Sequence, residues 1–248
     1  MDLGLHTRKA AVAAGSAGLG LGAARALVAD GARVVICGRE RSRVEEAAAG
    51  LGPSCVPLVA DVGSAAGGAA FVAAAAEALG GLDILVTNAG GPPPGTFAST
   101  DVSLYTGALE LNLLSVVGMC KAAVPAMQAQ GWGRVVAITS VAVRQPIPNL
   151  ILSNTARAGV TGFLKTLARE VAKDGVTVNS VQPGIHATDR MTQLYGDGLS
   201  GDALGIPTGT VGDPDDFGAV VAFLCGEPAK FITGAHLPVD GGAYAGLL

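Results

Sequence analysis

No long run of either charge occurs in this sequence: sixteen Lys and Arg are spread against twenty Asp and Glu over 248 residues, for a formal net charge of −4. Nucleic acid and anionic membranes select for a basic stripe, so neither is expected as a partner, and a small molecule is. Cysteine is scarce and scattered. Cys37, Cys55, Cys120 and Cys225 lack metal-ligand spacing and three of them lie in apolar segments, so they read as reduced, buried thiols and no metal centre is expected. The amino terminus MDLGLHTRKAAVAA has no charged stretch leading into a long apolar core, and no apolar run is judged long enough to span a bilayer. A cytoplasmic location is the expectation.

What is abundant is apolar sequence, 50% of the chain, enough at this length for one well-buried domain over residues 1–248. Short apolar runs alternate with longer stretches of helical character. KAAVAA leads into GLGLGAARALVADG, ARVVICG into RERSRVEEAAAGL, and CVPLVADV into an Ala-rich helix at 65–79; LDILVTNAG, a helix near 102–129, GRVVAITS, a helix near 150–173 and VTVNSVQPG follow. Parallel strands need crossover helices, so this repetition implies an α/β fold, a Rossmann-like doubly wound parallel sheet. Ligands of such sheets bind beyond the carboxyl ends of the strands, where the 15–22 loop, Asp61, Asn88, Ser140 and Pro183 gather.

The first of these loops reads AAGSAGLGLG, after a strand and at the start of a helix. Backbone N–H groups and the helix dipole there suit a pyrophosphate, and glycine lets the backbone approach it, which makes Gly15, Ser16, Gly18, Leu19 and Gly20 candidate cofactor ligands. The second strand ends VVICGRE, with Gly38 and Arg39 where an acidic residue would hold the ribose 2′-hydroxyl of NAD. A guanidinium matches a 2′-phosphate, so NADP(H) is preferred and NAD(H) remains an alternative. Arg39 also reads simply as the solvated start of a charged helix that continues with Arg41 and Arg43.

In these features and those that follow, the chain resembles the short-chain dehydrogenase/reductase family, from about residue 8 to its end, in particular members of the 3-oxoacyl-[acyl-carrier-protein] reductase type. AAGSAGLG corresponds to the family's TGxxxGxG with Ala14 in place of the first Gly, and Asp61-Val62 to the pair that holds adenine. TNAGG, with Asn88, Ala89 and Gly90, is similar to NNAG; Asn112 and Ser140 stand where the family's helix Asn and catalytic Ser belong. NSVQPGIHAT resembles NxxxPGxxxT, which implies that Pro183, Gly184, His186 and Thr188 lie by the nicotinamide, and ITGAHLPVDGG resembles the family's closing segment. The resemblance further implies a substrate lid near 186–212, and a homotetramer, or failing that a homodimer, packed through the FLCG helix and the carboxyl-terminal tail.

The family's Tyr-x-x-x-Lys is replaced by Ser153-Asn154-Thr155-Ala156-Arg157. In the family the Lys ammonium lowers the Tyr pKa and the phenol donates a proton as hydride arrives. Serine does not ionise in a useful range, and arginine stays protonated. Three readings follow. Asn112, Ser140, Ser153 and Arg157 form an altered catalytic set, with Arg157 directed at a developing oxyanion or a substrate carboxylate; or the chain binds a dinucleotide with little turnover, as a sensor or assembly partner; or the pocket serves a non-redox elimination, isomerisation or cyclisation. Arg157 could also hold the nicotinamide ribose in place of the lost Lys. Tyr195, in the expected lid, is a weaker candidate for a substitute phenol. His186 reads either as lining or as loop packing, and His236 and Tyr244 as core or interface.

Overall fold

The computed structural model describes residues 1–196, 198 and 200–247. Asp197 and Leu199 of the expected lid lie outside the described residues, as do Leu248 and the side chain of Tyr195. The strands are β1 (Lys9–Val12), β2 (Arg33–Gly38), β3 (Cys55–Val59), β4 (Ile84–Thr87), β5 (Gly133–Ile138), β6 (Val176–Pro183) and β7 (His236–Val239). They form one seven-stranded sheet in the order β3-β2-β1-β4-β5-β6-β7. Every pairing in it is parallel. β1, β2 and β4 are apolar on both faces because helices cover both, so residues 10–12, 34–37 and 84–86 read as continuous apolar runs with no alternation. The order reverses between β1 and β4, and the site of a doubly wound sheet lies beyond the carboxyl ends at that reversal.

One face carries α1 (Gly18–Ala29), α2 (Arg41–Leu51) and α8 (Pro214–Cys225); the other carries α3 (Ala65–Leu79), α5 (Ser115–Ala129) and α6 (Ile151–Val171). Small residues set how closely the helices pack. A Cβ on Gly22 would lie 2.0 Å from the Pro214 carbonyl oxygen, and one on Gly118 would lie 2.2 Å from that of Ala65, so α1 meets α8, and α5 meets α3, backbone to backbone. Ser64 caps α3 by accepting from the Gly67 N–H at 3.1 Å, and Asp213 caps α8 through the Asp215 N–H at 2.7 Å.

Two expectations need refinement. The helix near 102–129 is α4 (Ser103–Leu109) joined to α5 by a π-helical turn, Glu110–Leu114, which contains Asn112. This continuous 27-residue segment, Ser103–Ala129, has a mean hydropathy of 1.4 over its most apolar window and is long enough to cross a bilayer, contrary to the reading that no such run exists. Its apolar character has another use here. Met119, Cys120, Ala123, Val124 and Met127 of α5 pack in the core under the sheet. All four cysteines are buried and unpaired, and burial raises Cys37 and Cys55 to about 11 and Cys120 and Cys225 to about 12.

Candidate functional site

Beyond β1 the chain turns sharply at Ala14, whose φ of +46° lies in the left-handed region, and enters α1 through Ala17. Ala17 is the N-cap and supplies no side-chain acceptor, so the first N–H groups of α1, on Gly18, Leu19 and Gly20, are left for something else. The loop is held from below. Asn88 Nδ2 donates to the Ala14 carbonyl at 3.3 Å, and the Ala14 N–H donates to Cys37 Sγ at 3.3 Å. A Cβ on Gly20 would lie 2.4 Å from the Ala14 oxygen, and one on Gly38 2.7 Å from Ser16 Oγ, which explains glycine at both places.

A cleft of about 350 Å³ opens in front of the uncapped helix start. Ser16, Ala17, Gly18 and Leu21 line one side of it, Thr188 and Asp189 the other, and Arg25 and Arg43 contribute cations. Arg43 crosses its edge to pair with Asp189 at 2.6 Å, whereas Arg39 is exposed at the end of β2. Arg43 was visible in the sequence only as one more charge on α2; the sign that could have singled it out is its place in the first turn, facing the same strand end as Arg39. Asp61 is exposed and accepts from the Gly63 N–H at 2.9 Å, while Val62 is buried.

At the ends of β4 and β5 the second half of the site assembles. Asn112 is 3% exposed; its Nδ2 donates to the Gly90 carbonyl at 2.9 Å, and its Oδ1 is buried without a partner among the described residues. A Cβ on Gly90 would meet no protein atom within 4 Å, so this backbone borders open space. Ser140 caps the short turn Val141–Val143, accepting from the Ala142 N–H at 3.1 Å. Ser153 and Arg157 lie one turn apart on α6, which places them on the same face of the helix. The segment leading into α6 is pinned by Asn154, which both accepts from the Ile147 N–H at 3.4 Å and donates to the Ile147 carbonyl at 3.0 Å.

Arg157 donates from Nη1 to the Ile138 carbonyl at 3.2 Å. Burial, reinforced by the positive charge of Arg190, lowers its pKa from 12.5 to about 10. Arg190, on the short helix α7 (Asp189–Tyr195), donates from Nη2 to the Pro92 carbonyl at 3.0 Å. The sequence reading missed it, because it sits two residues beyond Thr188, where the matched motif ends and the expected lid begins.

His186 packs against α8. It is 4% exposed, its ring lies edge-on to Phe217 at 5.0 Å, and a Cβ on Gly212 would touch it at 2.6 Å. Burial lowers its pKa, which favours the neutral ring. Around it the base of the 186–212 segment is closed by the Ala187 N–H to Gly212 carbonyl and Gly212 N–H to Ile185 carbonyl bonds, at 2.9 and 3.0 Å. Pro183 ends β6, and Gly184 passes so close to Asp240 that a Cβ would lie 2.7 Å from its Cβ. His236 is half-buried, bonded through Nδ1 to Ser180 Oγ at 2.8 Å, and Tyr244 lies under Arg144 at 5.5 Å. Among the described residues no group of His, Cys, Asp or Glu is arranged to hold a metal ion.

Residues 13–244 match the sequence profile of a family described as enoyl-(acyl carrier protein) reductase. The human dehydrogenase/reductase SDR family member 4 is 34% identical over 244 residues, which cover 96% of this chain and 88% of that protein. The NADPH and L-sorbose complex of L-sorbose reductase from Gluconobacter frateurii superposes with a TM-score of 0.90 at 30% identity, covering all of both chains. An NADPH-bound short chain oxidoreductase from Pseudomonas aeruginosa PAO1 containing an atypical catalytic center superposes at 0.89 with 29% identity, over 97% of this chain and 99% of that one.

Proposed function

The chain belongs to the short-chain dehydrogenase/reductase family, and from that premise we propose that it is an NADP(H)-dependent oxidoreductase of a carbonyl or alcohol substrate whose proton transfer does not use a phenol. The observation that carries the cofactor half of this reading is the cleft of about 350 Å³ in front of the uncapped start of α1. The residues present fit a dinucleotide. Free N–H groups on Gly18, Leu19 and Gly20 suit a pyrophosphate, Arg39 and Arg43 suit a 2′-phosphate, and the open space beside Gly90 suits a flat ring. Two of the similar structures, from Gluconobacter frateurii and Pseudomonas aeruginosa, hold NADPH, which favours the phosphorylated form here.

When bound, the reduced dinucleotide supplies hydride; what remains is to orient the carbonyl, balance charge on its oxygen and deliver a proton. Ser140 is available to donate to the substrate oxygen while its own Oγ accepts from the Ala142 N–H. Ser153 Oγ is the next hydroxyl along α6, and it reaches the same oxygen most simply through a water. Arg157 supplies fixed positive charge next to them, in a site where burial strengthens it. The proton itself comes from solvent, since neither Ser nor Arg releases one near neutral pH.

The absence of a phenol on α6 also supports a second reading, in which the chain binds NADP(H) and turns over slowly or not at all. Titration with NADPH and NADH, followed by a panel of carbonyl substrates monitored by cofactor oxidation, separates the two. Stoichiometric oxidation with substrate supports the reductase; tight binding with no oxidation across the panel supports the binder.

A further inference from the structure

We propose that the substrate is an oxo acid, or the hydroxy acid to which it is reduced, with its carboxylate held between the guanidinium groups of Arg157 and Arg190; this rests on the oxidoreductase reading and adds the substrate class to it. The two side chains arrive from different elements. Arg157 rises from α6 to the Ile138 carbonyl at the end of β5, and Arg190 crosses from α7 to the Pro92 carbonyl beyond β4. These strands are neighbours, with Thr87 opposite Ala137, so both guanidinium groups stand over the same end of the sheet. Arg190 Nη2 lies 3.1 Å from where a Cβ on Gly91 would be, so glycine there leaves room for it.

Neither cation has an acidic partner within ion-pairing distance among the described residues. Several other arginines have one. Arg25 pairs with Asp215, Arg41 with Glu45, Arg43 with Asp189, and the buried Arg134 has Glu227 and the Trp132 ring. Both side chains are half-buried, and a cation partly withdrawn from water is costly unless it is paired; a second cation beside it adds to the cost. The lowered pKa of Arg157 reflects both effects. A carboxylate between the two would relieve them together, and its two oxygens match the guanidinium fork. The dinucleotide phosphates have a different cradle, lined by Arg25 and Arg43 and by neither Arg157 nor Arg190.

The reaction this implies balances with the cofactor already named. The carbonyl carbon of the oxo acid gains a hydrogen with its electron pair from NADPH, the π pair of the C=O bond moves to oxygen, and a proton from solvent completes the hydroxyl. The products are the hydroxy acid and NADP⁺.

The test compares acetoacetate and 2-oxoglutarate with their methyl esters in NADPH oxidation, and follows binding of 3-hydroxybutyrate and 2-hydroxyglutarate to the NADP⁺-loaded protein by calorimetry. The native chain should prefer at least one free acid. Arg190→Gln should reduce that acid-to-ester preference and the hydroxy-acid affinity roughly tenfold to a hundredfold, and Arg190→Lys should recover part of the loss. Arg190 sits on an exposed helix, so its variants test binding without unfolding the core. Equal use of acids and esters by the native chain, or loss of NADPH affinity in Arg190→Gln in place of loss of the acid, overturns the inference; turnover of neutral ketones in that case keeps the oxidoreductase reading. Hydroxy-acid binding that depends on Arg190, with no carbonyl reduced, supports the anion site and overturns the oxidoreductase reading.

Discussion

Substituting Ser153→Tyr and Arg157→Lys together installs a phenol and an ammonium one helical turn apart on α6, and the structure sets how far they should work. Burial, with Arg190 adding to it, lowers the pKa of Arg157. The same surroundings would push a lysine downward as well. While the ammonium is charged it lowers the phenol pKa; as pH rises and the charge is lost, the phenol reverts. The double variant should therefore reduce neutral ketones about 10² to 10⁴ faster than the parent near neutral pH, with the gain fading as pH rises. Ser153 is 9% exposed, so its neighbours must shift to admit the added ring. Ser153→Phe with Arg157→Lys provides the control, with the same ring and no hydroxyl. NADPH oxidation measured from pH 6 to 9, with cofactor affinity in parallel, reads out both effects. If the Tyr variant binds NADPH normally yet exceeds the Phe variant by less than about tenfold, the missing phenol is not what limits this site.

Arg39→Ala should weaken NADPH by roughly tenfold to a hundredfold, about 1.5 to 3 kcal/mol, and leave NADH nearly unchanged in a fluorescence titration; equal losses would assign Arg39 to solvent. Gly20→Ala puts a Cβ 2.4 Å from the Ala14 oxygen and 2.9 Å from Asn88 Nδ2, so it should cost about 1 to 3 kcal/mol by calorimetry and most of the cofactor affinity. Ala14→Gly should act in the opposite direction, because an alanine at φ +46° carries about 1 to 2 kcal/mol of backbone strain against about 0.4 to 1 kcal/mol of added unfolded-state entropy. Its net gain of up to about 1.6 kcal/mol would raise Tm by up to roughly 3 to 6 °C, and a lower Tm would refute the strain argument. The bare edge at β7, with Phe231 99% and Leu237 39% exposed, fits burial against a second copy, and light scattering at micromolar concentration should give a tetramer or dimer; a monomer would contradict it.

The fold was legible because its signals are local. Val34, Val35 and Ile36 can be apolar in succession only in a strand covered on both faces, and AAGSAGLGLG between such a strand and a helix reads as a turn that brings backbone close to a ligand. The long apolar stretch 103–129 was misjudged for the related reason that composition does not say what covers a helix: the same residues would suit lipid or, as here, the underside of a sheet. His186 was ambiguous in sequence because a histidine after Pro-Gly can line a cleft or fill a core, and the packing of its ring on Phe217, 31 residues on, is visible only in the tertiary structure.

By itself the sequence determined the parallel sheet, the family, and the spacing that puts Ser153 and Arg157 one turn apart on a helix, since each of these is written in neighbouring residues or in short spacings. The tertiary structure decided what surrounds that pair. That Arg190 comes within range of Arg157, that no described acid pairs with either, and that Arg43 reaches Asp189 across the cleft all depend on side chains brought together from elements tens of residues apart. Charge interactions act through space and are set by burial, so their sign can be read from a sequence but their partners and strength cannot.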